Sequence, residues 1–157
     1  YLLEGNFDAA LQAGENAVAN RPSCTNANAF YANVLHYCGQ DTEALNHIRL
    51  ALHQSPFCPP LFRLILVKVL LALKRYEEAE NTLGSVFQSG KMDVSSCMLG
   101  CLVAGLQQKS ELARNHAARV MQLDPAFSLK AYLDGEPYRD GGTKDFHAKE
   151  LARYGFS

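Results

Sequence analysis

Shifted by 34 residues, the start of this chain falls into register with its next stretch. Gly5-Asn6-Phe7-Asp8-Ala9-Ala10-Leu11 lies over Gly39-Gln40-Asp41-Thr42-Glu43-Ala44-Leu45, Ala17 over Ala51, and Pro22 over Pro56. A turn glycine, two small residues and a closing proline recur in phase, which chance rarely arranges, and a fixed period of this size marks a chain that stacks copies of one small unit. A third copy enters after one inserted residue in Cys58-Pro59-Pro60, with Lys74-Arg75-Tyr76-Glu77-Glu78-Ala79 in place of the glycine turn and Val86 in the second small-residue slot. A fourth reads Gln108-Lys109-Ser110-Glu111-Leu112-Ala113, then Val120, then Leu123-Asp124-Pro125.

Each recurring position has a mechanical role. Alanine lets neighbouring helices approach, glycine adopts a left-handed helix cap, and proline stops a helix because it has no amide donor. Ala44, Leu45, Ile48 and Leu52 have the i, i+3, i+4 spacing of an apolar helical stripe, and no long run alternates with period two, so the expected class is all-α. The pattern predicts helices at about 7–20, 26–38, 42–54, 60–73, 76–89, 94–107 and 110–123. Tyr1 to Glu4 reads as the last turn of a helix whose beginning lies upstream, so the chain is expected to be a piece of a longer polypeptide with its first repeat cut open.

These residues resemble the tetratricopeptide repeat, in which a Gly-x-Tyr-x-x-Ala turn joins two helices and a proline ends the second. The resemblance covers Tyr1 to Pro125 and implies a right-handed superhelix of antiparallel helix pairs that binds a protein or peptide along its concave side. Asn28, Arg63 and Cys97 stand where the family has a large aromatic early in the first helix. In this family the first helix of each pair lines the groove. Carried over by repeat position, the groove residues are Asn26, Asn33, His36 and Tyr37 from the second unit, Leu64, Lys68 and Leu71 from the third, and Met98 and Leu102 from the fourth. Chaperone adaptors of the family clamp a peptide carboxylate. Asn33 and Lys68 suit such a clamp, but Ala29 and Ile65 occupy slots where it has polar or basic side chains. Leu64, Leu71 and Leu102 serve equally as core or as an apolar groove for an amphipathic helix.

A formal net charge of −1 over 157 residues gives no field to attract nucleic acid or an anionic membrane, and neither is an expected partner. The apolar run from Leu64 to Leu73 is interrupted by Lys68 and too short to span a bilayer. Cys24, Cys38, Cys58, Cys97 and Cys101 form an odd count without a framework; each sits among apolar helical positions, which suits reduced, buried thiols in a cytoplasmic protein. Cys97 and Cys101 share a helix face, but no second Cys/His pair at metal spacing accompanies them, so no metal and no cofactor is expected.

Beyond Pro125 the pattern changes, dividing the chain into repeats at 1–125 and a capping tail at 126–157. Ala126 to Leu133 reads as a short helix, Asp134 to Gly142 as a turn-rich link, and Thr143 to Tyr154 as a last helix with Thr143 as N-cap and Gly155 as its stop. Ala118 to Leu129, Pro137-Tyr138-Arg139-Asp140 and the closing Tyr154-Gly155-Phe156 are similar to the C-terminal end of bacterial class III adenylate cyclases that carry tetratricopeptide repeats. In that family a proline commonly follows the Tyr-Lys/Arg-Asp, where Gly141-Gly142 stands here. The resemblance implies an upstream domain that makes cyclic AMP, with this segment as its interaction and regulatory part. The segment itself has no phosphate loop, since Gly135, Gly141 and Gly142 lack a following Lys-Ser/Thr. No nucleophile is placed beside His36, His47, His53, His116 or His147, so no catalytic residue is expected. Two partners remain: a protein, which includes an upstream catalytic domain of the same chain, and a second copy docked through the open N-terminal repeat.

Overall fold

The computed structural model describes residues 1–156, and among them every regular element is helical. In chain order these are α1 (Phe7–Asn20), α2 (Thr25–Tyr37), α3 (Asp41–Gln54), α4 (Pro60–Ala72), α5 (Tyr76–Gln88), α6 (Val94–Leu106), α7 (Ser110–Leu123), α8 (Leu129–Asp134) and α9 (Gly141–Leu151), closed by a 3-10 turn at Ala152–Tyr154. Consecutive helices pack as hairpins, α2 on α3, α4 on α5 and α6 on α7, and the even-numbered helices α2, α4 and α6 also touch in sequence.

One cap geometry recurs at the repeat period. Gly39 has φ 81°; its N–H donates to His36 O at 3.0 Å and the next amide, of Gln40, reaches Leu35 O at 2.8 Å. This double closure is a Schellman motif, which satisfies carbonyls that the end of a helix leaves without partners. Lys74 (φ 59°) and Gln108 (φ 61°) make the same pair of bonds after α4 and α6. Gly5 (φ 72°) makes it too, Asn6 N–H reaching Tyr1 O at 2.9 Å. The left-handed turn is therefore set by its place in the repeat, and lysine and glutamine accept it at some cost.

The prolines act at the other end of each pair. Arg21, Ser55 and Asp124, each directly before a proline, have φ of −143°, −138° and −140°. The proline ring disfavours the helical region for the residue before it, so the helix ends there. α5 has no such proline, and its C-cap Ser89 stays in the helical region at φ −74°.

The core follows the same register. Ala44, Ile48 and Ala51 of α3, Ala79, Leu83 and Val86 of α5, and Ala113, Ala117 and Val120 of α7 occupy one stripe and are all buried against the preceding even helix. Asn28 is wholly buried and fully hydrogen-bonded. Its amide donates to Pro22 O at 2.8 Å and Cys24 O at 3.0 Å, and its carbonyl faces His47 Nδ1 at 2.8 Å. Because the amide group is committed to two acceptors, His47 Nδ1 carries the proton.

The tail departs from expectation in three places. The last helix starts at Gly141, not Thr143, because the Asp140 carboxylate caps it by accepting from Gly142 N–H at 3.0 Å. Gly141 and Gly142 are thus its first turn and not a linker. The short helix begins at Leu129, capped by Ser128, not at Ala126. Of the five cysteines only Cys97 and Cys101 lie inside a helix. Cys24 and Cys38 are half-buried caps of α2, and Cys58 is buried in the link before α4.

Candidate functional site

The inner faces of α2, α4 and α6 bring eight of the nine expected groove residues onto one surface with Lys68 near its centre; Asn26 lies apart, in a cleft beside α1. Most of that surface is occupied by the chain's own tail. Tyr37 O–H donates to Glu136 Oε2 at 2.8 Å, and Lys68 Nζ donates to Tyr37 Oη at 2.7 Å and lies 3.4 Å from Glu136 Oε2. His36 bridges Asp41, 2.6 Å from Nδ1, and the Tyr138 hydroxyl, 3.1 Å from Nε2. Asp41 offers only acceptors, so Nδ1 carries the proton. The Arg139 amide closes the strap on Tyr37 O at 2.9 Å.

The electrostatics follow from burial. Tyr37 and Tyr138 are held well above the ordinary phenol range, first by desolvation and then by the Glu136 carboxylate. His147, edge-on to Tyr138, is pushed down to about 4 by burial, helped by His36. The Cys101 thiol is pushed up to about 12 by burial and by Glu150, so it is a thiol with the character of a small hydrophobe. Among the described residues no three His, Cys, Asp or Glu side chains gather as metal ligands, and no helix is long and apolar enough to cross a membrane.

Leu64, Leu71, Met98 and Leu102 are buried, which places them in the wall behind the tail and not on open surface. Ala29 and Ile65, the slots of a carboxylate clamp, are core residues. The carboxylate beside Lys68 is an internal one, Glu136.

What stays open is the start of the inner face. Phe30 is 52% exposed and Leu61 47%, and with Asn33, Ile65 and Ser95 they border a hollow of about 140 Å³ that ends against Tyr132 and Glu136. Phe30 is braced from behind by Phe62, ring centroids 5.9 Å apart. A second cavity of about 420 Å³ lies between the ends of α2 and α4 and the start of α9, and holds His36, Lys68, Lys74 and His147. Sequence reasoning missed Phe30, Leu61, Tyr132, Glu136 and Tyr138; the signal for the last two was the run Glu136-Pro137-Tyr138, a short polar-aromatic strap between helices. No protein-family model and no curated protein matches the chain.

Proposed function

We propose that this chain is a non-catalytic tetratricopeptide-type interaction and regulatory segment, a right-handed superhelix of helix pairs from the C-terminal part of a bacterial nucleotide cyclase that works in the cytoplasm. One observation carries the interaction reading: the same left-handed cap recurs at residues 5, 39, 74 and 108, so the helix pairs repeat as units that line up their first helices along one side. On that side Phe30 and Leu61 are apolar, exposed and backed by rigid core, which are the traits of an anchor for a partner's side chains. The partner that fits is the apolar face of a helix or a docked domain of the same polypeptide. A terminal carboxylate fits less well, because Lys68 already faces Glu136.

The cyclase assignment rests on the resemblance of the tail. Its test is to express the whole gene product and assay ATP conversion to cyclic AMP with and without these residues. A cyclase whose output changes on deletion supports the reading; a product with no cyclase activity and no cyclase domain overturns it. Gly141, standing where that family commonly has proline, favours as second reading an adaptor fused to some other domain or to none.

A further inference from the structure

The hollow beside Leu61 is apolar over most of its lining, with Phe30, Leu61, Leu64, Ile65 and Leu99, and is bordered by one pair of opposite charges, Lys68 and Glu136. The two side chains of that pair are 19% and 18% exposed and lie 3.4 Å apart. Neither has used all its hydrogen-bonding capacity. Among the described residues every bond to the Glu136 carboxylate goes to Oε2, from the Tyr37 hydroxyl at 2.8 Å and from Lys68 Nζ. Oε1 accepts none, and since no sealed side-chain oxygen or nitrogen among the described residues lacks a partner, Oε1 is within reach of solvent. Lys68 spends two of its three N–H donors, on Tyr37 Oη at 2.7 Å and on Glu136 Oε2, and keeps one. The pair is thus a neutral couple with an acceptor and a donor to spare.

That couple selects among occupants. A carboxylate meets Glu136 and an ammonium or guanidinium meets Lys68, so a charged tip gains little from it. A purely aliphatic side chain shuts the spare donor and acceptor away from water unpaired. The match is a side chain that is apolar along its length and ends in a neutral group able both to donate and to accept. Serine and threonine have the hydroxyl without the apolar length, asparagine and glutamine set an amide against the apolar walls, and indole only donates. Tyrosine has both parts. The chain already contains the arrangement once, since Tyr37 Oη donates to Glu136 and accepts from Lys68. We propose that the partner enters this hollow with a tyrosine, its ring against Phe30 and Leu61 and its hydroxyl between Glu136 Oε1 and Lys68 Nζ, repeating the bonds of Tyr37. This rests on the reading that the inner face receives a protein partner, and names the side chain by which it is held.

Heteronuclear NMR of the 157-residue chain, titrated with N-acetyl-tyrosinamide and in parallel with N-acetyl-phenylalaninamide, isolates the hydroxyl. One side chain alone binds with a dissociation constant on the order of millimolar, so both titrations run to about 20 mM. The expected result is a saturating shift of the Phe30, Leu61 and Glu136 amides by the tyrosine compound, with the phenylalanine compound about 5-fold weaker for want of one hydrogen-bonded hydroxyl. Leu61→Asp, a change at a half-exposed side chain, keeps the helical circular dichroism and abolishes the shift. Equal affinity of the two compounds, or no shift at the hollow from either, overturns the tyrosine. If a photo-crosslinker at position 61 of the whole gene product still captures a partner after such a result, the anchor alone is lost; if it captures nothing, the partner reading falls with it.

Discussion

The Tyr37 hydroxyl and the Glu136 carboxylate, 99 positions apart in sequence, are joined by a 2.8 Å hydrogen bond that fastens the tail across the inner face of the array. Lys68 completes the contact on the other side of the hydroxyl. The three groups are largely buried, so removing Glu136 leaves the Tyr37 hydroxyl without its acceptor and Lys68 without its counter-ion. Glu136→Ala is expected to cost about 2 kcal/mol and to speed amide exchange selectively over 136–147. Urea denaturation and hydrogen exchange check it; loss spread evenly over the chain would contradict the strap.

Lys74 and Gln108 hold the left-handed turn that Gly5 and Gly39 hold elsewhere. Each side chain strains a conformation that glycine enters freely. Lys74→Gly and Gln108→Gly should therefore each stabilise the fold by about 0.5–1 kcal/mol, and Gly39→Ala should destabilise it by about 1 kcal/mol. Thermal melts of the three variants decide this.

The wholly buried Asn28 side chain makes three hydrogen bonds. Asn28→Leu fills the site with an apolar side chain and deserts the Pro22 carbonyl and a histidine, while Cys24 O keeps the backbone amide of residue 28, with an expected loss of about 2 kcal/mol. A double-mutant cycle with His47→Leu should return a coupling energy well above zero; additive losses would show that the pair does not act together.

His147 is half-buried as the neutral ring, its pKa lowered to about 4 chiefly by desolvation, and His116 is lowered in the same direction by the same cause. The unfolded chain then binds more protons than the folded one. Stability is complete above about 6.5 and drains as pH falls from there toward about 4, the His147 share reaching at most about 3 kcal/mol. His147→Gln should flatten this part of a stability-against-pH curve, measured by urea midpoints at fixed ionic strength; an unchanged slope would count against a desolvated, neutral His147.

The seven repeat helices were legible because three local signals coincide at most boundaries: a left-handed cap, a proline that ends the partner helix, and small residues on one stripe. Their expected N-terminal boundaries all fall on those observed or within one residue of them, and the tail does worse for a physical reason. Asp140 and Thr143 are both good caps, and the choice between them depends on where α9 docks on α6, which no local pattern encodes. The same limit governs the site. Leu64, Leu71, Met98 and Leu102 look alike whether they face a groove or the underside of a strap, and what covers them comes from residues far away in sequence. His36 and Tyr37 were legible as members of the inner face, but not as partners of Tyr138 and Glu136.

The claim that matters most is that the inner face, at the hollow beside Leu61, receives a protein partner. A photo-crosslinking amino acid placed at Leu61 in the whole gene product, against the same group at Leu112, 39% exposed on α7, tests it most directly. The account predicts a discrete crosslink from position 61, to a partner or to another domain of the same polypeptide, that position 112 does not form. Equal labelling from both positions, or none from position 61, would contradict it.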